Sequence, residues 1–513
     1  MPAILAVSPF ERIVSLLHDR NDRVIYAAIY ALAKLAQWPE GAQAVITANT
    51  LAHLSKLFES SDANTRMWSC DLVRNVASHD TSMSAILEVN PFEKVVSLLH
   101  DGKVWDWDIH KLTYVLAKAA QWPEGAQAVI TANALAQISK LFESFDARTR
   151  TWSCDLVGNL AIHETSMPAA PAILATNPFE KMVSLLHDEN DFVIRAAIYA
   201  LANQAQWSEG ARAVITANTL AHLSKLLESS DANTRMWTCN LVGNLAIHET
   251  SMPVILGVNP FERIVSHLHD GNDSVIYAPA YALAKVARWP EGAQAVITAN
   301  SLAHLSKLLK SSKANTRMWS CNLVGNLAIH ETSMPAILAT NPFETRENGF
   351  PFAAQWSEGA QAIITANTLA HLSKLLESSD ADIRMWSCNL VGNLAIHETS
   401  MPVILGVNPF ESIVSHLHDG NDWVIYEATR TYALANLAEW SEGAQAVITA
   451  NALAHLSKLL KSSNAGIQMW SCNLVRNLAI HETSMPAILG VNPLERIVSL
   501  LEYISIIGTY TLS

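Results

Sequence analysis

One motif recurs at near-constant spacing along the whole sequence. A tryptophan followed by Ser or Thr and then Cys stands at Trp68, Trp152, Trp237, Trp319, Trp386 and Trp470. A second tryptophan lies 30 residues before each of them, at Trp38, Trp122, Trp207, Trp289, Trp356 and Trp440. Successive motifs are 84, 85, 82, 67 and 84 residues apart. Such a period is typical of solenoids, in which each stacked unit contacts only its neighbours.

Each unit divides into two similar halves of about 41 residues. Residues 259–300 and 301–340 can be laid over one another, because both contain an apolar segment, a polar turn and a long helical segment. Each half predicts a short first helix, an amphipathic second helix and a third helix of about four turns. We expect Asn259 to cap the second helix and Pro260 to be its first residue. No stretch alternates with a period of two, so the predicted fold class is all-α.

The long third segments carry a family resemblance. WSCNLVGNLA at 319–328 and AIYALAKLA at 28–36 resemble the end of an armadillo repeat. The resemblance covers nearly the whole chain, as about 12 modules. It implies a right-handed α-solenoid superhelix of three-helix repeats, and a scaffold rather than one fixed biochemical function.

The fifth unit departs from the pattern. Only 15 residues separate Asn341 from Trp356, where other units have 30 to 32, so most of a second and a third helix is missing. Losing a layer exposes apolar faces, and we expect a defect or hinge there. Pro279 lies inside a third helix and should kink it. The predicted organisation is armadillo repeats at 1–340, a truncated repeat at 341–354, further repeats at 355–491 and a partial repeat with an apolar tail at 492–513. The chain starts and stops inside a module, so we expect either an incomplete segment of an array or an imperfect gene model.

The recurrent cysteine and histidine are not spaced for catalysis. Cys321 and His330 are nine residues apart, on opposite faces of a helix and about 13 Å apart along its axis. Zinc spacings and a phosphate-binding glycine loop are absent from the sequence. We therefore predict that the cysteines are core thiols and that the His-Glu-Thr turns lie at helix ends. We expect no enzymatic activity, no metal and no cofactor.

Another set of residues shares one face of each long helix. Trp319, Asn322 and Asn326 lie at i, i+3 and i+7, within about 60° of one another. The remaining residues of this predicted peptide groove are Trp68, Asn75, Trp152, Asn159, Trp237, Asn240, Asn244, Trp386, Asn389, Asn393, Trp470, Asn473 and Asn477, with Tyr199, Tyr281 and Tyr432 from the alternate modules. In the first two units Asp71 and Asp155 replace the first Asn.

Two interpretations of this stripe stay open. In armadillo proteins similar to this chain, an Asn near the end of the third helix binds the backbone of an extended peptide. An amide offers both a donor and an acceptor for that purpose, and neighbouring aromatic rings provide rigid walls. Alternatively, the Trp packs between modules and the Asn caps a helix or bridges two layers.

The leading hypothesis is a non-catalytic scaffold that binds an extended, basic protein segment along its concave groove. The net charge of −13, from 34 basic and 47 acidic residues, favours such a partner and disfavours nucleic acid. We see neither an apolar run long enough to span a membrane nor a lipidation motif. We therefore expect no membrane insertion and a cytoplasmic location, with the nucleus as a second compartment. The sequence does not predict the oligomeric state.

Three alternative functions remain. The first is a nuclear-import adaptor resembling importin α, although that family has a Trp four residues before the Asn, where this chain has Asn240 or Tyr281. The second is an organelle-membrane adaptor like the vacuolar armadillo proteins. The third is a recognition array that diversifies at a few exposed positions, such as Phe192.

Overall fold

The computed structural model describes residues 9–100, 109–163, 170–269, 275–340, 353–365, 368–419, 425 and 433–491. Within these ranges every regular element is a helix, and no strand occurs. The chain divides into two compact units, Met1–His267 and Leu268–Ser513. In each unit the helices pack layer upon layer, as in a helical repeat protein. The all-α prediction is confirmed.

Three kinds of helix recur in the predicted order. The first helices are Pro39–Thr47, Met83–Val89, Pro123–Thr131, Ala170–Thr176, Ser208–Thr216, Met252–Val258, Pro290–Thr298, Met334–Thr340, Ser357–Thr365, Met401–Val407, Ser441–Thr449 and Met485–Val491. The second helices are Phe10–Ser15, Leu54–Phe58, Phe92–His100, Ile138–Phe142, Phe179–Ser184, Leu223–Leu227, Phe261–Ser266, Leu305–Leu309, Leu372–Leu376, Phe410–Ser415 and Leu456–Leu459. The third helices are Asp22–Leu35, Ala63–Ala77, Ile109–Ala119, Ala147–Leu160, Asp191–Gln204, Ala232–Leu245, Tyr277–Val286, Ala314–Ala328, Ala381–Leu394, Leu434–Leu437 and Ala465–Ala479.

Short 3-10 turns join or precede many of these helices. They are Leu16–His18, Thr50–His53, Asp80–Ser82, Ala134–Gln137, Leu185–His187, Thr219–His222, Glu249–Ser251, His267–His269, Ser301–His304, Glu331–Ser333, Ala353–Gln355, Thr368–His371, Glu398–Ser400, His416–His418, Ala452–His455 and Glu482–Ser484. Short 3-10 turns of this kind are common as connectors and at the ends of α-helices.

The starts of the helices follow local rules. The carboxylate of Asp62 accepts a hydrogen bond from the backbone N–H of Thr65 at 2.9 Å, which caps the third helix Ala63–Ala77. Pro39 stands at the start of a first helix, where its missing N–H would have had no partner in the helix. These signals recur from unit to unit, so the modules keep nearly equal lengths.

One predicted cap is wrong. The helix Phe261–Ser266 has Pro260 at its N-cap position, without a side-chain cap. Asn259 instead ends the preceding helix Met252–Val258 in the left-handed conformation, with φ 47°. Asparagine tolerates that conformation better than most residues, because its short polar side chain can bond locally. Left-handed asparagines recur at Asn49, Asn90, Asn133, Asn177, Asn218, Asn300, Asn408 and Asn451.

The third helices provide much of the core. In the first unit each one packs against the third helices before and after it, from Asp22–Leu35 to Ala232–Leu245. Five of the six cysteines are buried, Cys472 is half-buried, and all six are free thiols. Burial raises the pKa of the Cys239 thiol, so this group stays protonated and weakly nucleophilic. The prediction that the cysteines are core thiols is confirmed for the five buried ones.

Two irregular regions differ in how far the structure describes them. Pro279 does not kink a third helix, because the helix Tyr277–Val286 begins two residues before it. In the first turn the missing N–H of proline breaks no helical hydrogen bond.

Of the predicted truncated repeat at 341–354, only Ala353 and Ala354 are among the described residues, and the predicted tail at 492–513 lies outside them. The proposed domain ranges remain predictions.

Candidate functional site

The third-helix face is the surface that carries the motif tryptophans Trp68, Trp152, Trp237 and Trp319 together with the tyrosine of each preceding module. Each tryptophan meets its tyrosine edge to face. The ring centroids are 4.5 Å apart for Tyr30 and Trp68, 4.5 Å for Tyr114 and Trp152, 4.7 Å for Tyr199 and Trp237, and 4.6 Å for Tyr281 and Trp319. This arrangement suits the charge distribution of aromatic rings. The tryptophans therefore pack between modules, and each stays partly accessible to solvent.

The asparagines near the helix ends bridge successive layers. The side-chain amide of Asn75 donates a hydrogen bond to the carbonyl oxygen of Ala33 at 2.7 Å, 42 residues earlier in the chain. The same bond joins Asn159 to Ala117, Asn244 to Ala202, Asn326 to Ala284 and Asn477 to Ala435. Four of these five side chains are buried, and Asn326 is half-buried. One amide hydrogen of each is thus committed to the neighbouring layer.

The other predicted groove residues are placed differently. Asn240 and Asn389 are buried, and Asn393 donates a hydrogen bond to Asn389 Oδ1 at 3.0 Å. Asn322 is exposed and Asn473 is half-buried. Trp386 is exposed and Trp470 is half-buried. Tyr432 lies outside the described residues.

The recurrent histidine also bridges layers. His248 Nε2 lies 3.2 Å from the carbonyl oxygen of Ala205, the residue that follows the third helix of the preceding module. A carbonyl can only accept, so Nε2 carries the proton. Equivalent contacts join His79 to Ala36, His163 to Ala120, His330 to Ala287, His397 to Ala354 and His481 to Ala438. The sequence predicted a histidine at a helix end, but the helix it caps belongs to the previous module.

The second tryptophan also bridges successive layers, at Trp207, Trp356 and Trp440, a role that the sequence did not reveal. Trp207 Nε1 donates a hydrogen bond to the carbonyl oxygen of Ala161 at 2.7 Å, and Trp440 does the same to Ala395 at 2.6 Å. Both acceptors follow the last residue of a third helix. The constant place of this tryptophan, shortly after the end of a third helix, was the feature of the sequence that could have indicated this role.

A cavity of about 590 Å³ opens on the third-helix face in the first compact unit, Met1–His267. Its aromatic walls are Trp152, Tyr199, Trp237 and Phe192, and it lies along the helices Ala147–Leu160 and Asp191–Gln204. The Tyr199 hydroxyl donates a hydrogen bond to Asn159 Oδ1 at 2.6 Å. Burial raises the pKa of Tyr199 to about 12, so its hydroxyl remains a donor. A cavity of this size is within the range of binding pockets for small groups.

The carboxylate of Asp155 lines this cavity without a hydrogen bond or an ion pair to any described residue. Burial raises its pKa to about 6, although Arg195 and Lys118 act in the opposite direction. The corresponding aspartate of the preceding unit, Asp71, is instead paired with Arg74 and Lys111, each at 3.2 Å. The sequence shows both aspartates, but only the tertiary structure shows that Asp71 is paired with cations.

Three cations also line the cavity, and each contacts another side chain. Arg148 Nε donates to Asp146 Oδ1 at 3.2 Å, and the guanidinium of Arg195 lies 4.7 Å from the centre of the Phe192 ring. Lys118 Nζ donates to Gln121 Oε1 at 3.3 Å. Asp155 is therefore the charged lining group that lacks a contact of this kind.

Among the described residues, no group of three or more His, Cys, Asp and Glu side chains is placed to hold a metal ion. In the same part of the chain, no single helix has the length and hydropathy needed to cross a membrane. Two helix pairs, each bent by 117°, meet that criterion only when their two helices are taken together.

The chain was compared with known proteins. No protein-family model matches it, and no curated protein does. Among solved structures, an engineered protein aligns with 92% of this chain and 98% of its own, at 23% identity and a TM-score of 0.49. A second engineered protein aligns with 46% of this chain and 98% of its own, at 26% identity and a TM-score of 0.43. The helices and their packing define the chain as an all-α, helical repeat-like protein.

Proposed function

We propose that this protein is a non-catalytic armadillo-type scaffold that binds an extended, basic protein segment along its third-helix face. In this proposal the modules form a right-handed superhelix, and the third-helix face is its concave groove. The free thiols suit a reducing compartment, so we place the protein in the cytoplasm.

The observation that carries the proposal is the repetition of one surface. Four Tyr–Trp pairs recur with nearly the same geometry, at ring separations of 4.5 to 4.7 Å. An extended chain also repeats, so side chains at regular intervals can meet equivalent aromatic walls. Rigid aromatic side chains are common among the residues that dominate binding energy at interfaces.

The buried asparagines have a smaller part in this proposal than the sequence suggested. Each interlayer bond uses one amide hydrogen, and the oxygens of Asn75, Asn159 and Asn477 also accept a hydrogen bond from Arg74, Tyr199 and Arg476 respectively. A peptide backbone has more access to an exposed amide such as Asn322. The Tyr–Trp walls and the exposed polar positions therefore provide the binding surface.

A selection followed by cross-linking tests the proposal. Peptides are selected from a random display library on the full-length protein, resynthesised with a photo-cross-linking residue at each position in turn, and mapped by mass spectrometry. We expect attachment points on consecutive third helices, advancing with the peptide position. The proposal is contradicted if no peptide is enriched, or if the attachments lie on the first and second helices.

A pair of variants tests the proposal in the second compact unit, Leu268–Ser513. Asn322 and Gln294 are both exposed, and they lie on a third and a first helix respectively. For peptides that cross-link in the second unit, we expect Asn322→Arg to weaken binding at least tenfold and Gln294→Arg to leave it unchanged. Equal effects of the two variants would show that the third-helix face is not the binding surface.

A further inference from the structure

We propose that the cavity beside Asp155 binds a lysine or arginine side chain of the segment that occupies the third-helix face. This inference rests on the proposed function, and it adds the chemistry and the place of one contact. It follows from a comparison between two units of the same chain.

The preceding unit shows what an aspartate at this position normally contacts. Asp71 is nearly fully buried and is paired with Arg74 on its own helix and with Lys111 on the next third helix. A buried carboxylate is destabilising unless a cation or donors compensate for its lost hydration. In the repeat unit that contains Asp71, the protein itself provides that cation.

The next repeat unit, which contains Asp155, lacks both of these cations. Aligned on the motif tryptophans Trp68 and Trp152, the position of Arg74 is occupied by Gly158. Aligned on Trp122 and Trp207, the position of Lys111 is occupied by Ala196. Asp155 is retained, and Ala196 borders the cavity beside it. The cavity thus lies where the side chain of a lysine at position 196 would extend.

Gly158 also shapes the aromatic wall. A Cβ atom at position 158 would lie 2.7 Å from Cε1 of Tyr199, closer than real contacts allow. The absence of a side chain therefore lets Tyr199 approach the helix Ala147–Leu160 and donate its hydrogen bond to Asn159. A substituent at position 158 would displace this ring.

The walls suit a cationic side chain. Trp152, Tyr199 and Trp237 present aromatic surface to the cavity, and aromatic faces attract ammonium and guanidinium groups. The alkyl part of a lysine or arginine can lie against the same rings, while its charged end reaches Asp155. An entering cation would restore the ion pair that Arg74 and Lys111 provide for Asp71.

The competing occupant is an acidic side chain, drawn by Arg148, Arg195 and Lys118. Of these three groups only Arg148 is already paired with a carboxylate, that of Asp146, while Arg195 lies against the Phe192 ring and Lys118 contacts the amide of Gln121. An acidic group would also be placed beside the unpaired carboxylate of Asp155. The two occupants predict opposite responses to substitution, which the following experiment uses.

The test applies the same peptide library to the full-length wild type and to two site variants. Asp155→Asn removes the charge and keeps the shape, while Ala196→Lys introduces the internal cation that Lys111 provides in the preceding unit. Asp71→Asn is the matched control, because its carboxylate is already occupied. Circular dichroism and thermal unfolding establish that each variant is folded, and either site variant alone suffices if the other is not.

We expect wild-type selections to enrich peptides with Lys or Arg at one fixed position, which cross-links near Trp152 and Trp237. Replacing that arginine by the neutral isostere citrulline should weaken binding about tenfold, the size of one charge-assisted contact. The arginine preference should disappear with Asp155→Asn and Ala196→Lys and persist with Asp71→Asn. Arg195→Gln should leave the preference intact.

Several results would overturn the inference. Enrichment of Asp or Glu at that position, lost with Arg195→Gln, would assign the cavity to an acidic side chain. Peptides that cross-link along the third helices without a fixed cation would contradict this site while supporting the proposed function. Failure to enrich any peptide would contradict both.

Discussion

At the scale of single residues, Asp155 and Asp71 show how equivalent positions of a repeat array can have different surroundings. An aspartate occupies the equivalent position in two repeat units, and its partners differ between them. Asp71 has Arg74 and Lys111 within 3.2 Å, whereas Asp155 has neither an ion pair nor a hydrogen bond in the described part of the chain. A carboxylate in this state destabilises the fold when it is ionised.

Asp155 predicts a pH-dependent effect on stability. Burial raises its pKa from 3.8 to about 6, so the folded protein holds this proton more tightly than the unfolded chain does. The stability associated with the proton is present at low pH and is lost as the pH rises through 6. At pH 7 the ionised group therefore costs up to about 3 kcal/mol.

We expect Asp155→Asn to raise the free energy of unfolding at pH 7 by up to about 3 kcal/mol, with a gain that shrinks as the pH approaches 4. Urea unfolding at both pH values measures the difference. Asp71→Asn should do the opposite at pH 7, lowering stability by about 1–2 kcal/mol, because Arg74 and Lys111 lose their partner. An Asp155→Asn variant that is less stable than wild type at pH 7 would refute this account.

At the scale of helices, the layers are joined by a few repeated polar bonds. Asn244 and His248 connect their module to the preceding one, with partners 42 and 43 residues earlier in the chain. Trp207 connects that preceding module to the one before it. The acceptors of the histidine and the tryptophan lie just beyond the end of a third helix, where the last carbonyls have no partner within the helix. The recurrent polar residues thus satisfy helix ends.

The asparagine role can be tested on one helix. Asn326 donates to Ala284 at 2.8 Å, whereas Asn322, one turn earlier on the same helix, is exposed. We expect Asn326→Ala to lower the free energy of unfolding by about 1–2 kcal/mol, because a partly buried acceptor loses its donor. Asn322→Ala should have little effect on stability. Urea unfolding of both variants measures this, and equal stabilities would show that the interlayer bond contributes nothing.

The 3-10 turns beside the second helices carry a repeated histidine pair that responds to pH. His187 and His222 are in edge-to-face contact, with ring centroids 4.6 Å apart, and Nε2 of His187 lies 3.0 Å from Nδ1 of His222. Burial lowers the pKa of His222, and the positive ends of His187 and Lys225 lower it further. Similar shifts, with the same order of causes, occur at His53, His304 and His455.

The sign of this effect follows from linkage. The unfolded chain binds protons on these histidines more readily than the folded protein, so their contribution to stability is present above pH 6.5 and is lost as the pH falls below it. We expect the free energy of unfolding to decrease between pH 7 and pH 5. Gln137 occupies the equivalent place in the second unit, so His→Gln at positions 53, 222, 304 and 455 together should flatten that decrease. An unchanged pH profile would disprove the assignment.

At the scale of the whole molecule, the first unit has its own sequence of packed layers. Its third helices contact one another in order from Asp22–Leu35 to Ala232–Leu245. In an array of this kind stability is approximately the sum of module and nearest-neighbour terms.

We therefore expect a fragment of residues 1–267 to fold without the rest of the chain. Its helical circular dichroism per residue should equal that of the full-length protein within about a tenth, with cooperative unfolding. A matched fragment that stops at residue 231 lacks the third helix Ala232–Leu245 and should unfold at a lower urea concentration. A fragment 1–267 without cooperative unfolding would show that the unit depends on the remainder of the chain.

The sequence by itself determined the all-α class, the module length and the order of three helices, because apolar periodicity and repeated tryptophans are local or periodic signals. It misassigned Asn259 and Pro279, since both decisions depend on where the neighbouring helix ends. It also placed His248 at a helix end but not at that of the previous module. Only the tertiary structure decided that Asn244 bridges two layers and that Asp155 faces a cavity while Asp71 is paired. These properties depend on side chains about 40 residues apart, whose contacts exist only after the modules stack.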